Sequence, residues 1–220
     1  MYVSEMKSSM LLNRQLVATD PDFATSNFAA VPKRLSIVYH SAYGHTARVA
    51  ETIAQGASTV PNVKLHVMSV SQVDWVALDA SDVIVFGSPT YMGSVSADMK
   101  IFMDATSKRW KSRQWQGKLA AAFANSGGLS GDKLAVLQQL CLFAMQHGML
   151  WAGMPLMPTG MGHEDLNRMA GFLGLMTQSD KAPAEVTPPA GDLRTAEWFG
   201  RYLAELSLSL PCQLAAQQSN

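Results

Sequence analysis

The sequence predicts an α/β domain built on a parallel sheet that is covered by helices on both faces. Two patterns lead to this class: apolar runs without alternation, typical of strands buried on both sides, and amphipathic segments between them. The composition agrees, because 48% hydrophobic and 15% charged residues indicate a globular protein. A chain of 220 residues is long enough for one domain with a sizeable core and an extension.

Charge and cysteine content argue against several classes of function. Lys plus Arg and Asp plus Glu each number 17, so the formal net charge is zero and nothing favours nucleic acid or an anionic membrane as partner. Cys141 and Cys212 belong to no Cys-x-x-Cys or Cys/His cluster, so no metal site is predicted. With no apolar run near 18 residues and no signal-peptide pattern, we expect no integral membrane segment and a cytoplasmic location.

The chain divides into three segments. Residues 1–33 lack sustained periodicity and mix turn formers with isolated aromatic residues, which predicts an N-terminal extension and a candidate contact with a neighbouring subunit. Regular patterns run through residues 34–210, the predicted domain. Residues 211–220 are interpreted as a C-terminal tail.

Four strands and a helix are predicted in the first half of the domain. "LSIVY" (35–39) is a strand, followed by a helical segment at 46–57 and the strand "KLHVMSV" (64–70). The continuous apolar runs "DVIVFGSPT" (82–90) and "KLAAAFANSGG" (118–128) are further strands that end in small polar residues.

Three helices complete the pattern. The first, with Ser96 as N-cap and Asp98 in its first turn, presents Met99, Phe102 and Met103 on one face. The other two are marked by apolar residues at helical spacing, and the short apolar segment "MLWAGMPLM" (149–157) lies between them. The apolar positions of the earlier helix are Leu134, Leu137, Leu140, Cys141 and Ala144. Those of the later helix are Ala196, Phe199, Leu203 and Leu206.

Three predicted strands end in loops of small and polar residues. These loops are "HSAYGHT" (40–46), "GSPTYMGS" (87–94) and "NSGGLSGD" (125–132). In an open parallel sheet the ligand binds outside the carboxyl ends of the strands. The sequence therefore predicts one binding site made by the three loops.

The first loop is a candidate phosphate site. Ser41, Thr46 and the backbone N–H groups of residues 42–46 can bind a phosphate at a helix start, and Gly44 permits close approach. His45 and Arg48 are cations at a helix N-terminus, where they oppose the helix dipole unless an anion is bound. The alternative is an ordinary strand-to-helix turn with Thr46 as N-cap. The loop lacks both a Walker lysine and the G-x-G-x-x-G pattern.

The second and third loops each allow a functional and a structural interpretation. Pro89, Thr90, Tyr91, Met92 and Gly93 can lie beside a planar ring, or they form a surface loop with an incidental aromatic residue. Asn125, Ser126, Gly127 and Gly128 can approach a ligand with their backbone, or they form a simple turn.

Two aromatic side chains outside these loops are also candidates. His147 precedes Gly148 at the end of a predicted helix, a position where a histidine interacts well with the helix dipole. Trp110 lies in the basic and aromatic stretch "SKRWKSRQWQG" (107–117), which is interpreted as an aromatic wall or a subunit contact because the net charge is zero.

These segments together resemble the flavodoxin superfamily, and within it the tryptophan-repressor-binding-protein group of FMN-dependent NAD(P)H:quinone oxidoreductases. The resemblance covers roughly residues 35–209 and rests on "HSAYGHTARVAETIAQGA", "VIVFGSPTYMGSVSADMKIFMDAT", "GKLAAAFANSGG" and "QHGM". It implies a five-stranded, doubly wound, flavodoxin-like parallel sheet in the order 2-1-3-4-5. Tyr91 and Met92 stand where this group commonly has arginine and phenylalanine, and Leu129 and Ser130 interrupt its third-loop glycines.

The resemblance also implies roles for the loops. Ser41, Ala42, Tyr43, Gly44, His45 and Thr46 would hold the FMN phosphate, Thr90 to Met92 would border the isoalloxazine, and Ser126 to Gly128 would reach its pyrimidine side. His147 would line the flavin pocket from a neighbouring strand end. Tyr43 would form the nicotinamide side, and Trp110 would wall the substrate site.

The expected function is hydride transfer from NADH or NADPH through FMN to a quinone or similar flat acceptor, with both substrates using one cleft in turn. No side chain is expected to act as an obligatory proton donor, because the flavin carries the redox chemistry. The alternatives are a flavodoxin-type electron carrier and a flavin-binding interaction or stress-response protein with little turnover. A homodimer or homotetramer is expected, with neighbouring subunits completing the site.

Overall fold

The computed structural model describes residues 31–210. The predicted tail and all but the last three residues of the predicted extension lie outside the described residues. Lys33, which the sequence assigns to the extension, is the first residue of the first strand.

Seven strands and six helices are described. The strands are β1 (Lys33–Tyr39), β2 (Val63–Ser69), β3 (Val83–Tyr91), β4 (Ser94–Val95), β5 (Leu119–Ser126), β6 (Leu150–Trp151) and β7 (Leu175–Gln178). The helices are α1 (His45–Ser58), α2 (Trp75–Asp79), α3 (Ala97–Ala105), α4 (Ser107–Lys111), α5 (Lys133–Gln146) and α6 (Ala190–Ser209).

The predicted parallel sheet is confirmed, with a divided fifth position. The strand order is β2-β1-β3-β5, and both β6 and β7 then pair in parallel with β5. β6 pairs with the start of β5 at Leu119 and Ala120, whereas β7 pairs with its end from Phe123 to Ser126. The order 2-1-3-4-5 is therefore present, but two short strands separated by residues 152–174 share the fifth place.

Each face of the sheet has its own apolar core, as expected for a doubly wound fold. Leu35, Val85 and Phe123 point to one face and are buried with residues of α1 and α6. Val38 and Phe86 point to the other face and are buried with residues of α2, α3 and α5. The continuous apolar runs of the sequence follow from this burial on both sides.

Helices α1 and α6 approach each other closely through two glycines. A methyl group on Gly56 would lie 1.8 Å from the Glu197 carbonyl oxygen, and one on Gly200 would lie 1.9 Å from that of Ile53. Only hydrogen atoms fit at these positions. The contact fixes α1, whose N-terminus lies at the candidate site.

The predicted N-cap at Ser96 is confirmed. The Ser96 hydroxyl accepts a hydrogen bond from the backbone N–H of Met99 at 3.2 Å, at the start of α3. Within residues 31–210, the structure contains no helix of sufficient length and apolar character to cross a membrane.

Candidate functional site

The ends of β1, β3, β5 and β7 surround one polar depression of about 180 Å³. All three predicted loops contribute to it, together with residues that follow β7. The lining residues are Ser41, Ala42, Tyr43, His45, Thr46, Pro89, Thr90, Tyr91, Asn125, Ser126, Gly127, Ser179 and Asp180. Of the other predicted site residues, Gly44, Met92, Gly93 and Gly128 belong to the same loops but do not line the depression, whereas His147 and Trp110 lie elsewhere.

The first loop leaves the N-terminus of α1 without a side-chain cap. The N-cap residue is Gly44, with φ of +87° in the left-handed region, and a glycine has no side chain that could accept a hydrogen bond from the first turn. Thr46 is therefore not the N-cap that the alternative interpretation required; it is a buried residue of the first turn. Uncapped N–H groups at the start of a helix are a favourable site for an anion.

His45 and Arg48 at the start of α1 both contact the segment that follows β7. His45 Nε2 lies 2.9 Å from the carbonyl oxygen of Ala182, and Arg48 donates to the carbonyl oxygen of Ala184. The segment after β7 folds back over α1, and its carbonyl groups accept these bonds. His45 and Arg48 attach that segment to the loop.

Two buried hydroxyl groups in the depression have no hydrogen-bond partner in the described part of the chain. They are Ser41 Oγ at the end of β1 and Thr90 Oγ1 near the end of β3. A buried hydroxyl without a partner costs free energy, so such groups are usually satisfied by a ligand or water. Their position in adjacent loops indicates that a polar ligand supplies the hydrogen bonds of both hydroxyl groups.

The second loop is a tight hairpin that presents Tyr91. Thr90 and Tyr91 pair with β4, and the two turn residues, Met92 and Gly93, have φ of +49° and +73°. Positive φ at both residues is typical of a type I′ hairpin turn. Met92 is fully exposed at its tip, outside the depression, whereas Tyr91 is 38% exposed and lines it.

Tyr91 and Tyr43 lie at the mouth of the depression. Burial raises the pKa of Tyr91, and the nearby Tyr43 and Asp98 act in the same direction, so its hydroxyl stays protonated near neutral pH. Tyr43 is 77% exposed. The mouth therefore offers two aromatic side chains to an incoming molecule.

The third loop is held in place by β7. Asn125 Oδ1 accepts hydrogen bonds from Thr177 Oγ1 at 2.8 Å and from Ser179 Oγ at 3.1 Å. Gln178 Nε2 donates to the carbonyl oxygen of Gly127 at 3.0 Å. The side chain of Asn125 and the backbone of Gly127 are thereby oriented at the rim.

Sequence reasoning missed the residues after β7. Ser179 and Asp180 line the depression, and they follow an apolar stretch, "FLGLM" (172–176), that ends in small and polar residues. In the three predicted loops, too, small and polar residues follow an apolar strand. The signal was present, but the strand has only four residues and lies beyond a long irregular segment.

His147 and Trp110 lie at the opposite edge of the sheet. His147 follows α5 and precedes β6, which pairs with the first residues of β5, whereas the depression surrounds the last residues. The eight residues of β5 span roughly 25 Å. Within one chain His147 therefore does not line the depression, a correction that follows from the direction of the strand it precedes.

These two residues line a second, more apolar cavity of about 510 Å³. It lies between α3, α4 and α5, and its walls also include Met103, Leu142 and Phe143. Trp110 is 47% exposed. The cavity is larger than the depression, but none of the three strand-end loops lines it.

His147 is buried and neutral. Burial, with smaller contributions from the positive charges of Arg113 and Arg109, lowers its pKa to about 4. Its Nε2 lies 2.9 Å from Thr106 Oγ1, which donates its own proton to the carbonyl oxygen of Met103. Nε2 therefore carries the ring proton, and Nδ1 is buried without a partner among the described residues. The histidine also ends α5 as its C-cap, as the structural interpretation predicted.

The comparisons with known proteins agree with the fold. A family model described as NADPH-dependent FMN reductase matches residues 76–162. Flavodoxin FldP of Pseudomonas aeruginosa is 37% identical over 79% of this chain and 96% of its own length. The chain belongs to the FMN-binding, flavodoxin-like proteins of the tryptophan-repressor-binding type.

Further similarities place this flavodoxin-like chain among both named enzymes and named flavodoxins. A protein of Archaeoglobus fulgidus named NAD(P)H dehydrogenase (quinone) is 28% identical over 80% of this chain and 98% of its own length. The structure of a WrbA-like flavodoxin from Agrobacterium tumefaciens has 38% identity and a TM-score of 0.64, with 80% of this chain and 98% of that one covered.

Proposed function

We propose that this flavodoxin-like protein is an FMN-dependent oxidoreductase that transfers hydride from NADH or NADPH to a quinone or similar flat acceptor by a ping-pong mechanism. The observation that carries the proposal is the pair of buried hydroxyls Ser41 Oγ and Thr90 Oγ1, which find no hydrogen-bond partner among residues 31–210 and lie beside the start of α1, where Gly44 provides no side-chain cap. These groups suit a ligand that combines an anionic end with a polar, planar end, as FMN does.

The residues of the depression fit FMN in an ordered way. Ser41, Thr46 and the first N–H groups of α1 would hold the phosphate, because they offer uncharged donors at a positive helix end. Thr90 and Tyr91 would border the isoalloxazine. Asn125, Ser126 and Gly127 would meet its pyrimidine side with side-chain and backbone polar groups.

Bound FMN would supply the hydride chemistry. The chain would supply binding and orientation: Tyr43 and Tyr91 offer flat surfaces to a nicotinamide or a quinone, and the rigid hairpin of β3 and β4 keeps Tyr91 in place. Backbone N–H groups of the second and third loops would stabilise negative charge on the ring. A cytoplasmic location suits both nicotinamide substrates.

Assembly of subunits would explain the exposure of Trp110. The second cavity is apolar and its surroundings expose Ile101, Leu142 and Met145 as well as Trp110. Such a surface suits a subunit contact. In the proposed homodimer or homotetramer, Trp110 of one subunit would approach the depression of another.

A flavodoxin-type electron carrier is the second candidate, and the 37% identity to Flavodoxin FldP favours it. Stopped-flow mixing of FMN-loaded protein with NADH or NADPH distinguishes the two. The proposed enzyme is reduced rapidly by at least one nucleotide and reoxidised by benzoquinone. If neither NADH nor NADPH reduces the bound FMN, or if reduction does not lead to repeated turnover with benzoquinone, the oxidoreductase proposal is wrong and the electron-carrier function is favoured.

A further inference from the structure

The third loop is organised around a fully buried lysine. Lys133 is 0% exposed, and its ammonium group donates three hydrogen bonds of 2.8 Å each, to Ser126 Oγ and to the carbonyl oxygens of Gly128 and Leu129. Ser126 Oγ itself donates to the carbonyl oxygen of Gly128 at 2.9 Å. All three ammonium protons are therefore used to hold the loop between β5 and α5.

The positive charge of Lys133 has no carboxylate partner within the described residues. Its acceptors are neutral oxygens, and the charged groups that influence it are the attractive Asp192 and the repulsive Arg168. Those two form an ion pair with each other, so their effects oppose one another. Burial lowers the pKa of Lys133 to about 8, and most of the ammonium remains protonated at pH 7.

This charge lies directly behind the depression. Ser126 lines the depression and its Oγ accepts one Lys133 bond, so a ligand group that donates to the same oxygen would be roughly 5 Å from the ammonium nitrogen. At that distance, in a protein interior, a unit charge changes the affinity for an anion considerably. A neutral ligand would gain much less.

We propose that Lys133 is a positioning residue of the flavin site, and that its charge makes the site bind reduced FMN, whose ring is anionic, more tightly than oxidised FMN. The inference rests on the proposed FMN site. Lys133 contributes in two ways: it holds residues 126–129 in the conformation that meets the ring, and its unneutralised charge favours the reduced ligand. Only the second effect changes the ratio of the two affinities.

Three substitutions separate these contributions. Lys133→Met removes both the charge and the hydrogen bonds, Lys133→Gln removes the charge but keeps donors, and Lys133→Arg keeps the charge. The dissociation constant of oxidised FMN is measured by fluorescence titration. The ratio of the dissociation constants of oxidised and reduced FMN is obtained from the two-electron midpoint potential of the bound flavin relative to that of free FMN. Lys118→Met is the matched control, because Lys118 is a buried lysine at the opposite edge that donates to the carbonyl oxygens of Asp79 and Ser81.

We expect Lys133→Met and Lys133→Gln to reduce the preference for reduced FMN at least about tenfold, which equals a fall of about 30 mV in the two-electron potential. Lys133→Arg and Lys118→Met should stay within about threefold of the wild-type preference. The electrostatic role of Lys133 is overturned if Lys133→Met and Lys133→Gln keep the wild-type preference for reduced FMN. It is also overturned if Lys133→Arg loses this preference to the same extent as those two variants.

The wild-type protein provides a test that needs no variant. Its bound FMN should have a higher two-electron potential than free FMN, and the reverse order would overturn the inference even if every variant failed to fold. Failure of the wild-type protein to bind FMN at all would instead refute the proposed function.

Discussion

Arg168 and Asp192 form a buried ion pair at 2.7 Å, with both side chains 2% exposed. Asp192 lies in the first turn of α6, and its Oδ2 also accepts the backbone N–H of Gln178, directly before the site residues Ser179 and Asp180. The pair therefore links α6 to the strand end that completes the candidate site.

Asp192→Ala is expected to lower the free energy of unfolding by about 3–5 kcal/mol, because it leaves the guanidinium of Arg168 buried without its partner. Urea denaturation of the FMN-free protein measures this. Glu164→Ala is the control: Glu164 pairs with Arg194 on the surface, where a salt bridge contributes at most about 1 kcal/mol. Equal losses of unfolding free energy in both variants would contradict the stabilising role of the buried Arg168–Asp192 pair.

Gly44→Ala is expected to weaken FMN binding at least about tenfold, or about 1.4 kcal/mol. The residue has φ of +87°, and an added methyl group would lie 3.0 Å from Cβ of Ala184, so the phosphate turn must shift. Gly117→Ala carries similar backbone strain, with φ of +78°, at the other edge of the sheet. FMN titration of both folded variants should show loss only for Gly44→Ala.

Ser41→Ala is expected to weaken FMN binding by about twofold to tenfold, the range for one hydrogen bond, without destabilising the FMN-free protein. The reason is that Ser41 Oγ has no partner among the described residues. Ser36→Ala should behave oppositely, since Ser36 Oγ lies 2.6 Å from Ser81 Oγ in the core. A stability loss in Ser41→Ala with unchanged FMN affinity would remove this hydroxyl from the site.

The pH dependence of stability should report the buried His147. Its pKa is about 4 in the folded chain and about 6.5 in the unfolded chain, so between these values the unfolded state binds more protons. The free energy of unfolding should therefore fall as the pH falls through this window, by up to about 1.4 kcal/mol per pH unit from this group. Urea denaturation at several pH values should show a correspondingly shallower decline for His147→Gln; parallel curves would contradict the neutral assignment.

Trp110→Ala is expected to leave FMN loading unchanged but to lower kcat/KM for benzoquinone by about twofold to tenfold, the value of one aromatic contact. Because Trp110 lies at the far edge of its own chain, the same variant should also weaken subunit association. Light scattering and steady-state kinetics measure the two effects. Wild-type rates in a fully loaded variant would remove Trp110 from the substrate site.

Local patterns were sufficient for the elements that build the first three loops. The apolar runs at β1, β3 and β5 identify strands buried on both faces, and each ends where small polar residues begin. The N-cap at Ser96 was also predictable, because a cap depends on a side chain and a backbone N–H only three residues apart.

Contacts between distant segments could not be predicted in this way. Thr177 is 52 residues from Asn125, and nothing local indicates that a four-residue strand would bring them together. Likewise, the sequence places His45 and Arg48 at a helix start, but it does not show that the segment after β7, more than 130 residues away, supplies their hydrogen-bond acceptors.

By itself the sequence determined the parallel sheet, the three strand-end loops and their resemblance to an FMN site, because burial on two faces and turn chemistry act on neighbouring residues. Only the tertiary structure decided which edge of the sheet each candidate occupies. It placed His147 and Trp110 at the amino edge, brought Ser179 and Asp180 to the carboxyl edge, and buried the charge of Lys133 behind Ser126. Strand direction and pairing register fix these positions, and both depend on contacts between segments far apart in the chain.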